Sequence, residues 1–237
     1  VPLFESTNFF WLFFVGALIF LLRGLFLTEG AIFLRMSNWG RSHLISLVDV
    51  RRSHWVHDAR RFALVSLIDA FVYVFFLKQG WIRLEEGGWQ SFLWSFAFMF
   101  FWSELWFYFV HRALHSPVLF RIHRVHHMST QPNPFTAHAF STSERVIFLV
   151  GTLGAAAFVS QFRPLSLAGI VAYVFFSALG LIIEHSHVEV FSKQFRSSLV
   201  GRWIVSPSDH SVHHAHPSVN FGLFTKFFDQ WLKTGPR

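Results

Sequence analysis

Apolar residues gather along this chain in five stretches, 8–27, 62–78, 91–110, 146–162 and 165–183, separated by segments rich in Arg, His, Ser and Asp. Each stretch approaches the roughly 20 residues that carry a helix across about 30 Å of hydrocarbon. The pattern predicts an all-α integral membrane bundle of four to five spans or hairpin helices. The last two stretches meet at Phe162-Arg163-Pro164. They form either two full spans or a hairpin that enters the bilayer part-way. The first run has no basic segment before it and no small-residue cleavage site, so it is expected to remain as a span. A single membrane domain is expected over 1–237.

Composition strengthens this reading. Of the residues, 53% are hydrophobic and 19% aromatic, and 14% are charged, against about 25% charged in soluble proteins. There is no cysteine, which excludes disulfides, thiolate-bound zinc, cysteine-held iron–sulfur clusters and haem thiolates. Histidine and carboxylate remain as metal ligands.

The formal net charge of +7 reflects topology rather than nucleic-acid binding. Sixteen of the 20 Lys and Arg residues lie in segments 28–61, 111–145 and 184–237. Crossing at each apolar stretch places all of these on one side. Cytoplasmic segments carry the Lys/Arg excess, so that side is expected to be the cytoplasm, at a bacterial inner membrane or the endoplasmic reticulum. All 15 histidines fall on the same side.

The histidines are grouped. His111 and His115 stand four apart; His123, His126 and His127 form H-x2-H-H; His210, His213 and His214 repeat it. On helices each group shares a face, and Pro117 lets the second group turn toward the first. Imidazole suits zinc, copper, iron and nickel. Eight imidazoles exceed the needs of one ion and argue for two. A pair of irons in such a shell, with open positions, can activate dioxygen; the spacing alone does not choose iron over zinc. A histidine-rich metal transporter or metal-binding protein is the alternative, but its ligands belong at mid-membrane on crossing helices. A bis-histidine haem protein would need paired histidines within spans.

The order H-x3-H, H-x2-H-H, H-x2-H-H resembles the fatty acid hydroxylase and sterol desaturase superfamily of membrane di-iron oxygenases. The likeness runs from about Glu104 to Thr234. "ELWFYFVHRALH" resembles the family's acidic-x3-Tyr-x2-His-Arg-x2-His segment, "EHSHVEVF" its His-Ser-Asn segment, and "VNFGLFTKFFDQWLKT" its ending, through Asn220, Gly222, Asp229 and Thr234. The chain departs from the pattern at Ser141-Thr142-Ser143-Glu144, where His-Pro-x-Glu is common. Phe221 stands for Tyr, Phe228 for Trp, Lys233 for Gly and His187 for Asn.

The resemblance implies a catalytic region over 104–234. It implies a lipid substrate taken from the bilayer, such as a sterol or a fatty acyl chain, and O2 as co-substrate. Two iron ions would serve as cofactor, with zinc able to occupy the isolated protein. The outcome would be hydroxylation or desaturation of an unactivated C–H bond. It adds His185 as a ninth metal ligand, with His138 and His187 as further candidates. An external electron donor of ferredoxin, cytochrome b5 or reductase type is implied, since the chain has no Gly-rich nucleotide motif or haem-binding domain. Carboxylates are expected to orient the ligands from behind. Glu104, Glu144 and Asp229 are the principal candidates, with Glu184 and Asp209 beside them. Glu104, Tyr108, His111 and His115 fall on one helical stripe. Asp69 is expected to be structural.

Overall fold

A computed structural model describes residues 6–45 and 52–236. Arg51 and Arg237, counted above among the basic residues, lie outside the described residues. Six helices carry the architecture: α1 (Phe9–Met36), α2 (Arg52–Lys78), α3 (Trp89–Leu114), α4 (Thr142–Ser160), α5 (Leu167–His185) and α6 (Pro207–Ala215). The only strands among the described residues are two-residue pieces, β1 (Leu84–Glu85) and β2 (Leu165–Ser166), paired in parallel.

By length and composition α1, α3, α4 and α5 could each cross a membrane. Large apolar side chains such as Phe10, Phe26, Phe101 and Phe158 face outward from them. The 162–164 junction joins two 19-residue helices, each about 28 Å long at 1.5 Å per residue, which is nearly the hydrocarbon thickness. α2 is too polar to be counted with the four. It nevertheless lies antiparallel along α1, for Gly16 faces Ala70 and Val74, Gly24 faces Phe62, and Lys78 Nζ donates to Thr7 O.

Two helices are longer than the apolar pattern suggests. α1 runs on to Met36, so Arg35 is in its last turn rather than in a loop, and donates to Ser186 O. α2 begins at Arg52, ten residues before its apolar run. Its first turns are hidden in sequence by Arg, His and Asp residues that interrupt the apolar pattern.

The β1–β2 pair ties the α2–α3 and α4–α5 connections together at one end. Next to it, an apolar core of Phe76, Met99, Leu153, Leu165 and Tyr173 packs the helices. α3 and α5 approach closely because residue 169 is glycine: a Cβ there would lie 2.6 Å from Phe92 O. Small residues permit such contact between membrane helices. The other end holds the C-termini of α3 and α5, the N-terminus of α4, and α6.

α4 and α6 start with capping boxes. Ser141 pairs with Glu144 and Ser206 with Asp209, so a side chain satisfies the first free N–H groups of each helix. Within the bundle Arg145 binds both oxygens of Asp69, at 2.6 and 2.7 Å. Removing one partner of such a buried pair strands the other charge, at a cost of about 3–5 kcal/mol.

Candidate metal centre

The histidine-bearing segments converge at the polar end. α3 delivers His111 in its last turn, and the chain leaves the helix at His115, just ahead of Pro117. His123 ends a one-turn helix, Phe120–His123, and His126 and His127 lie in a 3-10 turn. His185 is the last residue of α5, while α6 carries His210, His213 and His214.

Two adjacent groups result. His111, His115, His123, His127 and His213 form one; His126, His185, His210 and His214 form the other. Within each group the candidate ligand nitrogens all lie within 4.8 Å of one another. The expectation of one shared face per box holds for His111 and His115 and is corrected for the two H-x2-H-H boxes. His123 and His127, four apart, point into the first group and His126 into the second. In α6 the i, i+4 pair His210 and His214 faces the second group and His213 the first. The two groups adjoin through His127 and His214, whose ring centroids are 4.8 Å apart.

The ring nitrogens show which atoms are free to bind. Nδ1 of His111 contacts Phe221 O at 3.0 Å, that of His213 Val219 O at 2.7 Å, that of His214 Ser129 O at 3.0 Å and that of His185 Leu181 O at 2.7 Å. A carbonyl only accepts, so each Nδ1 carries the proton and each Nε2 keeps its lone pair. Those Nε2 atoms point inward. His111–His123, His111–His115 and His123–His127 are separated by 3.1, 3.2 and 3.0 Å, and His185–His210, His210–His214 and His126–His185 by 2.9, 3.2 and 3.4 Å. An ion about 2.0–2.1 Å from each nitrogen sets neighbouring ligands about 3.0–3.4 Å apart. His213 Nε2 is buried with no partner at all, the condition of a ligand atom awaiting an ion. Both groups therefore fit a transition metal, and their all-nitrogen composition suits the borderline ions.

Burial keeps the rings neutral. It lowers His115 to about 3, His127 to about 2 and His213 to about 4 from an ordinary 6.5, and for His115 and His127 the crowding of other imidazoles adds to it. His123, His126, His210 and His214 are lowered for the same reasons. Neutral imidazole is the form that ligates. His115 is the least buried of the nine and borders an open basin of about 740 Å³ lined by Arg112, Ser116 and His216.

The carboxylates divide by role. Glu144 contacts His123 Nδ1 directly. Glu104 does not touch a histidine, contrary to the stripe expectation; it accepts from Phe224 N at 2.9 Å, Thr225 N at 3.0 Å and the Thr225 hydroxyl. Asp229 accepts from Phe221 N at 2.9 Å, Gly222 N at 2.8 Å and Thr234 Oγ1, and Thr234 in turn meets Tyr108. Glu104, Tyr108 and Asp229 thus hold the 219–234 strap, whose carbonyls at Val219 and Phe221 orient His213 and His111. Asp209 caps α6 and pairs with Lys226 at 2.6 Å. Glu184 faces an apolar pocket beside Phe100 and Phe191. His138 and His187 are buried but lie outside both groups.

Asp58 was not legible as a site residue. Fully buried, it accepts from Ser129 Oγ at 2.8 Å, Asn133 Nδ2 at 2.8 Å and Thr136 Oγ1 at 2.6 Å, and so fixes the loop whose Ser129 carbonyl orients His214. At Lys233 the backbone takes φ 56°, a left-handed conformation that glycine, the residue common there in the resembling family, adopts freely.

The fatty acid hydroxylase family model matches residues 96–234. A Delta(7)-sterol 5(6)-desaturase of Leptosphaeria maculans is 27% identical over 146 residues, 61% of this chain and 37% of that protein. The very-long-chain aldehyde decarbonylase GL1-1 of Oryza sativa subsp. indica is 35% identical over 139 residues, 54% of this chain and 21% of that protein. The chain thus spans well under half the length of these relatives. No solved structure matches. With its histidine boxes, apolar helices and matched residues covering more than half its length, the chain belongs to the fatty acid hydroxylase family.

Proposed function

We propose that the protein is an O2-dependent oxidoreductase that hydroxylates or desaturates an unactivated C–H bond of a membrane lipid. The observation that carries this reading is the convergence of nine neutral imidazoles into two adjacent, inward-facing groups where apolar helices end. His111, His115, His123, His127 and His213 would hold one ion. His126, His185, His210 and His214 would hold the second. Iron is the ion proposed for the active form. When bound, an iron pair supplies the activation of dioxygen that such a C–H bond demands.

The chain's own residues do the remainder. Backbone carbonyls at Leu181, Val219, Phe221 and Ser129, with Glu144, keep five rings turned with Nε2 inward. Phe107, Phe140 and Phe148 wall the groups on the bundle side and exclude water. The basin beside His115 and Arg112 gives an external electron donor its approach. The basic segments favour a cytoplasmic site. The named substrates of the two relatives, a sterol and very-long-chain aldehydes, are both hydrophobic, and this supports a lipid substrate here.

Anaerobic iron loading followed by metal analysis tests the centre. Two ions per chain are expected, and one or none overturns it. Comparing the lipids of cells with and without the gene tests the reaction; a profile with no oxidised lipid altered overturns that part.

A further inference from the structure

The polar end of the bundle presents large apolar side chains that the histidine groups do not use. Residues 193–203 and 227–231 contribute no candidate ligand. Leu199, Val200, Trp203, Phe227 and Trp231 stand exposed on them, Leu199 at 72% and Trp231 at 66%. The two segments are tied together. Lys226 N donates to Trp203 O at 2.7 Å and Gln230 Nε2 to Arg202 O at 2.9 Å. The Trp203 and Phe227 ring centroids are 6.4 Å apart, as are those of Phe227 and Trp231. Single apolar side chains are ordinary on a wetted surface, but gathered ones mark a protein or membrane contact.

Two contacts set this surface against the outer flank of the bundle. Phe228 packs on Phe109 of α3 with centroids 5.5 Å apart. Phe109 is itself exposed and lies five residues before the helix ends. Phe191 and Ile204, at either end of the first segment, line a pocket of about 320 Å³ together with Phe176 and Leu179 of α5. Those two residues are exposed and lie nine and six residues before His185, the last of the helix. At 1.5 Å per residue the two segments are anchored about 8–14 Å down the outer sides of α3 and α5. Where these helices cross a bilayer, that is the depth of the headgroups and upper acyl chains, into which interfacial segments sink their apolar faces.

Charge identifies the lipid. Lys193, Arg202 and Lys233 are exposed in and beside the two segments, and the Arg202 guanidinium lies 5.7 Å from the centre of the Trp203 ring. No carboxylate from 190 to 236 is exposed to offset them: Asp209 is paired with Lys226 and Asp229 is buried. Trp and Phe among Lys and Arg suit the boundary between acyl chains and negatively charged headgroups. A protein docked here would have to strip lipid from the exposed flanks of α3 and α5.

We propose that residues 193–203 and 227–231 form an interfacial foot that lies in the headgroup layer and gathers anionic phospholipid. Leu199, Val200, Trp203, Phe227 and Trp231 enter the upper acyl layer, while Lys193, Arg202 and Lys233 meet the phosphates. The foot includes part of the 219–234 strap, so the lipid surface bears on the segment whose carbonyls orient His111 and His213. None of this depends on which reaction the protein performs.

The absence of cysteine makes a fluorescence test clean. Full-length, metal-loaded protein carrying Val200→Cys, Trp231→Cys or, for comparison, Ser218→Cys in the open basin is labelled with nitrobenzoxadiazole. It is then placed in nanodiscs of equal parts phosphatidylcholine and phosphatidylglycerol. Phospholipid bearing a nitroxide high on its acyl chain should quench the labels at 200 and 231 and spare that at 218. Aqueous iodide should do the opposite. Nitroxide-bearing phosphatidylglycerol should quench at 200 and 231 about 5-fold more effectively than nitroxide-bearing phosphatidylcholine, the enrichment that one cation's contact with an anionic surface provides. Combined Lys193→Gln, Arg202→Gln and Lys233→Gln should remove that preference and leave the metal content unchanged. Should that variant fail to accumulate, molar salt added to the unsubstituted foot should remove the preference instead. Iodide quenching at 200 and 231 equal to that at 218 would show a surface facing water, free for a protein partner, and would overturn the foot. Equal quenching by the two nitroxide lipids, or a preference that survives both charge removal and salt, would overturn its selection of anionic lipid.

Discussion

The Glu144 carboxylate contacts His123 Nδ1 with one oxygen and accepts from the Ser141 backbone N–H with the other. One side chain thus caps α4 and orients a ring of the first histidine group. The 141–144 departure from the family pattern leaves this glutamate in place.

Glu144→Gln keeps the shape and removes the charge. Losing such a partner costs about 10–100-fold in metal affinity or activity. The variant should insert normally, retain less metal after dialysis against a chelator, and turn over slowly. Metal analysis beside wild type checks this; equal retention would show that the contact does not support the ion.

Glu104→Gln should behave differently, because Glu104 holds the backbone of Phe224 and Thr225 rather than a histidine. The amide turns an NH2 toward a donor that had an acceptor. An unmade buried hydrogen bond costs about 1–3 kcal/mol. A lower melting temperature with full metal content at saturating iron is the expected pair of results. Metal loss in excess of that of Glu144→Gln would contradict the assignment.

Asp58→Asn removes the charge that gathers Ser129, Asn133 and Thr136. The loop should loosen where its Ser129 carbonyl orients His214, so the second histidine group should lose its ion before the first. Metal counts near one per chain after mild chelation are expected, against two in wild type.

The metal-free protein should be acid-sensitive in a defined direction. His115, His127 and His213 are lowered to about 3, 2 and 4 in the folded chain from 6.5. Below pH 6.5 the unfolded state binds protons that the folded state refuses, so stability falls as pH falls and is complete above that value. Melting of the apoprotein should be level above about pH 7 and drop progressively through the window from 6.5 toward 4 and below. A melting temperature that rises on acidification would mean the rings are not held neutral.

Spans and histidine boxes were legible because both are local patterns: apolar runs for α1, α3, α4 and α5, and short spacings for His111 to His127 and His210 to His214. The first turns of α2 were not, since Arg, His and Asp there mask a helix that packs on α1. Asp58 was silent because its partners lie 71 to 78 residues away. The stripe through Glu104 and Tyr108 was visible, but its purpose was not. Both reach residues 120 and more positions onward, a relation that only the folded strap creates. The division of the two H-x2-H-H boxes, with the i, i+4 pair in one group and the residue between them in the other, is a relation between facing segments that the spacing does not announce.

That division links the two groups along the chain. His126 and His127 are consecutive residues committed to different groups, and His213 and His214 are another such pair. Drawing His127 and His213 onto an ion in one group fixes the backbone that carries His126 and His214 in the other. Ordering entropy spent on the first ion is then not spent again on the second. Filling of the apoprotein by ferrous iron or zinc should accordingly be cooperative, with a steep sigmoidal titration and few singly loaded molecules at the midpoint. The protein would then be either fully charged with metal or empty, and scarcity of the ion would lower the number of competent molecules rather than the competence of each.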